Sequence, residues 1–288
     1  MANGQRRGGL IHLVPKRDTQ LQIIPDAYPS IERVDGGEVS RLERVIASSF
    51  AAHLRTHPCI GARSVIGAGN AYVSVYPDMF TVSTAVAVLK DLDRYCQLTD
   101  GGDSIRKTLA LVFIYCPETE QSFGWAYWDF AQTLHDLDCQ RFGYPENISP
   151  NPEDATFEFC LRGRAIFTTT LHSAQTRVAR HWSWPTWVLN QTTQFNALRD
   201  SGKMAEWQKT IRSLDAALDP SGLPNPILTD HGQASAAPQL PGIEISPCPF
   251  KPRITENDKR IALQRVLERA RTEDADAETL AAIMDLQR

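Results

Sequence analysis

The continuous apolar run Leu109-Ala110-Leu111-Val112-Phe113-Ile114-Tyr115 constrains the fold of this chain more than any other feature. A strand with one solvated face alternates apolar and polar residues, whereas this run does not alternate and is bounded by polar residues. Such a pattern is typical of a central strand that is covered on both faces. The chain is therefore expected to fold around a sheet with packing layers on both sides.

Other elements are predicted from their periodicity. Apolar residues recur at helical spacing in residues 38–55, 122–139 and 204–218. Residues 157–170 and 185–190 are predicted strands, and residues 64–76 a hairpin. Within that hairpin Gly67-Ala68-Gly69 lacks the third glycine of a phosphate loop, so no nucleotide site is expected there. These elements indicate an α/β (α+β) fold with a mixed central sheet flanked by helices.

The 288-residue chain is long enough for one main domain with extensions. We expect an N-terminal arm at residues 1–36, a main domain at 37–252 and a C-terminal helical extension at 253–288. The extension is expected to pack on the domain, with a homodimer contact as the alternative. Proline-rich residues 219–252 are too long for an ordinary loop, and we expect them to form an ordered lid or wall over a site.

Charge and hydropathy exclude several classes of partner. A net charge of −4 and a pI near 6.0 provide no basic field for nucleic acid. No apolar stretch is long enough for a membrane span, and the N-terminal apolar segment is too short for a secretory signal. A cytoplasmic location is therefore predicted. The six cysteines are widely separated without a Cys-x-x-Cys pair, so they are predicted to be mostly buried thiols.

His172 is the strongest candidate metal ligand. It follows a strand-like segment and precedes a turn that carries Arg177 and Arg180. A haem b iron needs an axial nitrogen, and its two propionates need forked cationic donors. A histidine in such a position is more often a hydrogen-bonded core residue, and spaced arginines more often form a solvated face. The sequence pattern alone leaves both interpretations open.

From about His57 to Phe250 the sequence resembles the YqcI/YcgG family, because short matching segments occur in the same order over about two hundred residues. These are Pro58-Cys59-Ile60-Gly61-Ala62, Phe157-Glu158-Phe159-Cys160 with Gly163 and Phe167, His172 with Arg177 and Arg180, Pro185-Thr186-Trp187-Val188-Leu189-Asn190, Asp230-His231-Gly232 with Ser235, Ala237 and Gln239, and Cys248-Pro249-Phe250. There are also departures. Ser173 replaces a proline, Thr176 a serine and His181 an arginine.

The resemblance implies a haem-dependent N-hydroxylase of guanidino amino acids. It would make His172 the axial ligand of haem b iron, with Arg177 and Arg180 near the propionates and Pro58-Cys59 in the cofactor pocket. His57 and the Cys59 thiolate remain alternative iron ligands. A haem carrier or sensor is an alternative function. A mononuclear non-haem iron enzyme is a third, although no His-x-Asp or His-x-Glu pair occurs.

The implied substrate is free L-arginine, which would yield Nω-hydroxy-L-arginine as in the family member of D-cycloserine biosynthesis. A cyclic guanidino amino acid is the close alternative. Such a pocket needs a carboxylate for the guanidinium, and Glu158 and Asp230 are the acidic residues in the matched segments. His231 is the candidate distal hydrogen-bond donor. An external electron donor or a peroxide would have to support the reaction.

Overall fold

One mixed sheet forms the centre of the computed structural model, which describes residues 8–14, 30–99, 107–115, 117–223 and 247–286. Its strand order is β2-β1-β3-β4-β7-β6-β5. The strands β3 and β4 are parallel, and the other neighbouring pairs are antiparallel. The strands are β1 (Ile11–Val14), β2 (Ser30–Arg33), β3 (Ala71–Tyr76), β4 (Thr108–Phe113), β5 (Cys160–Leu161), β6 (Arg164–Leu171) and β7 (Thr186–Gln191).

Both faces of β4 are buried, as its apolar run predicts. Leu109, Leu111 and Phe113 belong to one core cluster, and Ala110 and Val112 belong to the other. This division follows from the alternation of side chains along a strand. The last two residues of the run lie beyond β4 and are exposed, with 43% for Ile114 and 66% for Tyr115.

Helices cover both faces of the sheet, so the predicted mixed α/β fold is confirmed. Residues of α1 and α2 pack in the core of Ala110, and residues of α3, α4, α7 and α8 pack in the core of Leu111. The helices are α1 (Arg41–Thr56), α2 (Ile60–Ala68), α3 (Val82–Thr99), α4 (Glu120–Asp138), α5 (Thr193–Asp200), α6 (Met204–Leu218), α7 (Glu256–Thr272) and α8 (Ala277–Asp285). Side chains cap the first turns of α1, α4 and α7 in capping boxes.

The predicted hairpin at residues 64–76 is wrong. Val65 and Ile66 lie in α2, where they are buried, and only the second half of the segment forms a strand, β3. Gly69 ends α2 with a φ of +68°, and its N–H bonds back to the last helical turn. The β-branched residues suggested a strand, but a left-handed glycine after them is a helix C-cap signal.

The predicted strand at residues 157–170 is interrupted by a tight turn. Arg162 and Gly163 both have positive φ, 57° and 66°, as a two-residue hairpin turn requires. Arg162 tolerates this conformation because its N–H and its guanidinium both bond to the buried Asp138, at 2.9 and 3.0 Å. The guanidinium also pairs with Asp93 at 2.6 Å. The turn is thus attached to both α3 and α4.

Described segments of the predicted N-terminal arm and C-terminal extension pack on this core. The strands β1 and β2, from the predicted N-terminal arm, extend the sheet beside β3. At the other end, the backbone N–H of Arg253 donates to Nε2 of His135 at 2.9 Å, and its guanidinium bonds to the buried Asp136 at 2.8 Å. These bonds position the chain for α7, which packs along α4.

We expect His135 to make the protein sensitive to acid. Burial lowers the pKa of His135 to about 4, and its Nε2 must stay unprotonated to accept the Arg253 N–H. Between pH 6.5 and 4 the unfolded chain therefore binds a proton that the folded chain does not, so stability falls as the pH falls. For one such histidine the loss at pH 5 is about 2 kcal/mol.

Denaturant unfolding of His135→Gln and of the unmodified protein, at pH 7 and pH 5, measures this effect. The variant retains an acceptor without the titration, so its loss of stability between these pH values should be smaller. An identical loss in both proteins would contradict the assignment.

Candidate functional site

His172 directly follows β6, and its backbone forms the hydrogen bonds that close a loop. Its backbone N–H donates to the carbonyl of Arg180 at 3.1 Å, and its own carbonyl accepts the N–H of Trp182 at 3.2 Å. A short 3₁₀ turn, Val178–Arg180, completes the loop. We call residues 172–182 the His172 loop. Its two ends are therefore held together by backbone bonds, and the side chains of the loop are fixed relative to β6.

The imidazole of His172 is fully buried, and neither ring nitrogen has a hydrogen-bond partner among the described residues. The ring stacks on Phe123 of α4, with centroids 4.0 Å apart and an interplanar angle of 21°. Burial, together with the charge of Arg180, lowers the pKa of His172 to about 4. The ring is therefore neutral at physiological pH and carries an uncommitted lone pair. Buried polar groups are nearly always satisfied in folded proteins, so a ring with two unpaired nitrogens is a candidate for binding a ligand.

The two arginines of the loop differ in how far they are already engaged. Arg177 donates to Asp215 of α6 at 2.7 Å and to the carbonyl of Leu223 at 2.9 Å, and it lies 3.6 Å from Asp219. Arg180 is buried, and its Nη1 has no hydrogen-bond partner in the part of the chain that the structure describes. Burial lowers the pKa of Arg180 to about 10, and the nearby Asp215 opposes this shift. Nη1 of Arg180 is therefore a buried group that could donate a hydrogen bond to a propionate.

The segment His57-Pro58-Cys59 lies against the His172 loop, as expected if Pro58 and Cys59 share a pocket with His172. Nε2 of His57 donates to the carbonyl of Ala179 at 2.7 Å, and Nδ1 accepts the N–H of Cys59 at 3.1 Å. This pair of bonds fixes the tautomer with the proton on Nε2. Both nitrogens of His57 are used, so it has no lone pair for iron in this arrangement.

Cys59 is the N-cap residue of α2, and the preceding Pro58 is buried. Burial raises the pKa of the Cys59 thiol, so the sulfur is protonated at neutral pH. Iron is ligated by thiolate rather than by thiol. Within the described residues, His172 is thus better prepared to ligate iron than the alternatives His57 and Cys59.

The structure does not bring Glu158 to His172. Glu158 precedes β5 and lines a cavity together with Phe167, which is five residues before His172 on β6. A strand advances about 3.3 Å per residue, so about 16 Å of strand separates Phe167 from His172. The other two predicted catalytic residues, Asp230 and His231, lie outside the described residues, as does most of the predicted lid at 219–252.

Two residues of the site were not predicted from the sequence. Phe123 belongs to an aromatic stripe of α4, which indicates core packing as much as a cofactor wall. Asp215 follows Ile211 by four residues, so it lies on the apolar face of α6 and is buried. An acidic residue on an apolar helix stripe was the available signal, because such a residue needs a buried cationic partner.

The described residues fit a haem with a single protein ligand. His172 offers a neutral, unpaired imidazole, and Arg180 offers an unpaired donor for a carboxylate. The stacked ring of Phe123 is an apolar neighbour of the kind that a porphyrin contacts. Groups of three or more His, Cys, Asp or Glu side chains placed to hold a metal ion do not occur in the part of the chain that is described.

A model of the YqcI/YcgG family matches residues 48–251, more than two thirds of the chain. The matched range contains the His172 loop, the His57-Pro58-Cys59 segment and Asp215. No curated protein and no solved structure matches the chain. Among the described helices, none combines the length and apolar character needed to span a bilayer.

Removal of the unpaired imidazole should stabilise the haem-free protein. His172→Leu replaces a buried polar ring without partners by an apolar side chain, and the free energy of unfolding should rise by about 1 kcal/mol. His57→Leu is the matched control. It deletes a ring with two hydrogen bonds, so the free energy of unfolding should fall by about 1–3 kcal/mol. Urea unfolding of the haem-free proteins at pH 7.5 measures both changes. A loss of stability in both variants would mean that His172 has a structural role.

Proposed function

Since the chain belongs to the YqcI/YcgG family, we propose that it is a haem-dependent N-hydroxylase acting on the guanidino group of free L-arginine. The product would be Nω-hydroxy-L-arginine. The observation that carries the proposal is the buried imidazole of His172, whose two nitrogens both lack hydrogen-bond partners among the described residues. In the neighbouring segment, by contrast, both ring nitrogens of His57 are hydrogen-bonded. We further propose a cytoplasmic location.

In this proposal His172 would bind the haem iron, and Arg180 would hold one propionate. A bound haem b supplies an iron centre that activates oxygen for transfer to an N–H bond. With dioxygen as the oxidant, one oxygen atom would be inserted into the N–H bond and the other would be released as water. Formation of that water requires two electrons from an external donor and two protons. With hydrogen peroxide, the second oxygen leaves as water without a donor.

The chain's residues prepare His172 in two ways for binding iron. Burial keeps the His172 imidazole neutral, so its lone pair is available without loss of a proton. The bonds from Arg177 to Asp215 and to Leu223 tie the His172 loop to α6 and to the chain that follows it. The loop is thereby held in place while Arg180 keeps its free donor.

We propose Asp230 as the partner of the guanidinium. The other candidate, Glu158, lies near the start of β6, whereas His172 follows the end of that strand. The same geometry favours the alternative of a haem carrier or sensor. Three carboxylates of the described residues contact the His172 loop, and all three are engaged. Glu120 accepts the N–H and hydroxyl of Thr176, and Asp215 and Asp219 pair with Arg177. A hydroxylase of a cyclic guanidino amino acid remains the close alternative substrate assignment.

The proposed function is tested by loading the protein with haem and incubating it with L-arginine and a reductant with oxygen, or with peroxide. The mass of the product should increase by one oxygen atom while the α-amino acid stays intact. Citrulline and agmatine, which each lack one charge of arginine, should bind on the order of a thousandfold more weakly. His172→Ala should lose the Soret band, and the control His57→Gln should keep it. Soret absorbance without any change on adding arginine, and without product, would favour the carrier.

Arg180 and Arg177 should differ in their effect on the cofactor. Arg180→Ala should weaken haem binding roughly tenfold to a hundredfold, since a charge-assisted bond contributes about 1.5–3 kcal/mol. Arg180→Lys should restore little, because lysine lacks the planar fork. Arg177→Ala should mainly lower the free energy of unfolding, because it breaks the Asp215 pair. Haem transfer to apomyoglobin measures the dissociation rates. Equal rates for Arg180→Ala and the unmodified protein would remove Arg180 from the site.

A further inference from the structure

A cavity of about 630 Å³ lies at the start of β6, away from the His172 loop. Its walls come from the segment 145–158, from the first residues of β6, from the end of β7 and from α5. Cavities that bind small molecules usually have about 300–1,000 Å³. The cavity is therefore large enough for a ligand of its own.

One wall of the cavity is apolar and aromatic. The rings of Phe167 and Phe195 meet edge to face, with centroids 5.3 Å apart, and both line the cavity. Phe157, Ile148 and Pro145 also line the cavity. Such a surface binds an aromatic or branched aliphatic group, because contact removes apolar area from water.

Charged side chains of both signs also line the cavity, namely Glu158, Arg164 and Arg199. Glu158 is half-buried, and its carboxylate accepts the hydroxyl of Thr192. Burial raises the pKa of Glu158, while that hydrogen bond and the charge of Arg199 oppose the shift. Arg199 is exposed at the rim and donates to the amide oxygen of Asn196. Neither Glu158 nor Arg199 forms an ion pair with a described residue, so a ligand could pair with both charges.

We propose that this cavity binds a zwitterionic α-amino acid with an apolar side chain. The ammonium group pairs with Glu158, the carboxylate pairs with Arg199, and the side chain packs against Phe167 and Phe195. A cationic side chain such as that of arginine is disfavoured there, because it would lose water against two aromatic rings without a second carboxylate.

This amino-acid site is separate from the proposed haem site. About 16 Å of β6 lies between Phe167 and His172, so a molecule in the cavity is out of contact with an iron bonded to that imidazole. The cavity therefore holds an effector rather than the substrate of that iron. A ligand bound in the cavity would contact both Glu158 and Arg199, and would thereby link the segment before β5 to α5.

Isothermal titration calorimetry of the full chain with L-phenylalanine tests the proposal. 2-Phenylethylamine lacks the carboxylate and 3-phenylpropionate lacks the ammonium group, so each should bind at least tenfold more weakly than L-phenylalanine. L-Arginine should also be at least tenfold weaker at this site. Glu158→Gln and Arg199→Gln should each weaken L-phenylalanine binding at least tenfold. The control Glu146→Gln, an exposed residue of the same segment, should leave it unchanged.

Three outcomes would overturn the proposal. These are no heat from L-phenylalanine or L-leucine at millimolar concentration, equal binding of the singly charged analogues, and unchanged affinity in Glu158→Gln. His172→Ala distinguishes this proposal from the haem proposal. It should bind L-phenylalanine with unchanged affinity although it lacks the Soret band, and loss of both would show that the two sites are not separate.

Discussion

Burial of both faces of β4 is the constraint on which the rest of the structure depends. A strand without a polar face must be covered twice, so the helices divide into two layers, and each layer fills one core cluster. The neighbours β3 and β7 inherit the same two layers. The His172 loop leaves the sheet at the end of β6, one strand beyond β7. The candidate site thus lies at the end of a strand, β6, that contributes Ile166 to one core cluster and Leu171 to the other.

The sequence predicted the elements that carry strong periodicity and missed those that depend on tertiary contacts. The helices α1, α4 and α6 agree with their apolar spacing to within a few residues. The helix α2 was predicted as a strand because Val65 and Ile66 are β-branched, and only the Gly69 cap distinguishes the two. The strands β1 and β2 have four residues each, which is too short for alternation to be recognised.

Part of the residue set of the candidate site could be predicted from the sequence, but its geometry could not. His172, Arg180 and the His57-Pro58-Cys59 segment were expected near one another, and the bond from His57 to Ala179 joins them. The sequence could not show that Arg177 is engaged by Asp215, since that pair joins residues thirty-eight positions apart. The sequence analysis also placed Glu158 in the same site as His172. The order of matched segments does not show that these two residues lie at opposite ends of β6.

The hydrogen bonds of His57 have a consequence for the order of cofactor assembly. In an unfolded chain every histidine can compete for iron, and the nearest competitors in space would be the most troublesome. Once the segment before α2 docks on Ala179, both nitrogens of His57 are occupied, and this competitor is removed. If His172 holds the iron as we propose, correct ligation follows docking of that segment. A haem that bound before this docking could be ligated by His57 instead of His172. Folding of the segment before α2 would therefore help to select the correct iron ligand.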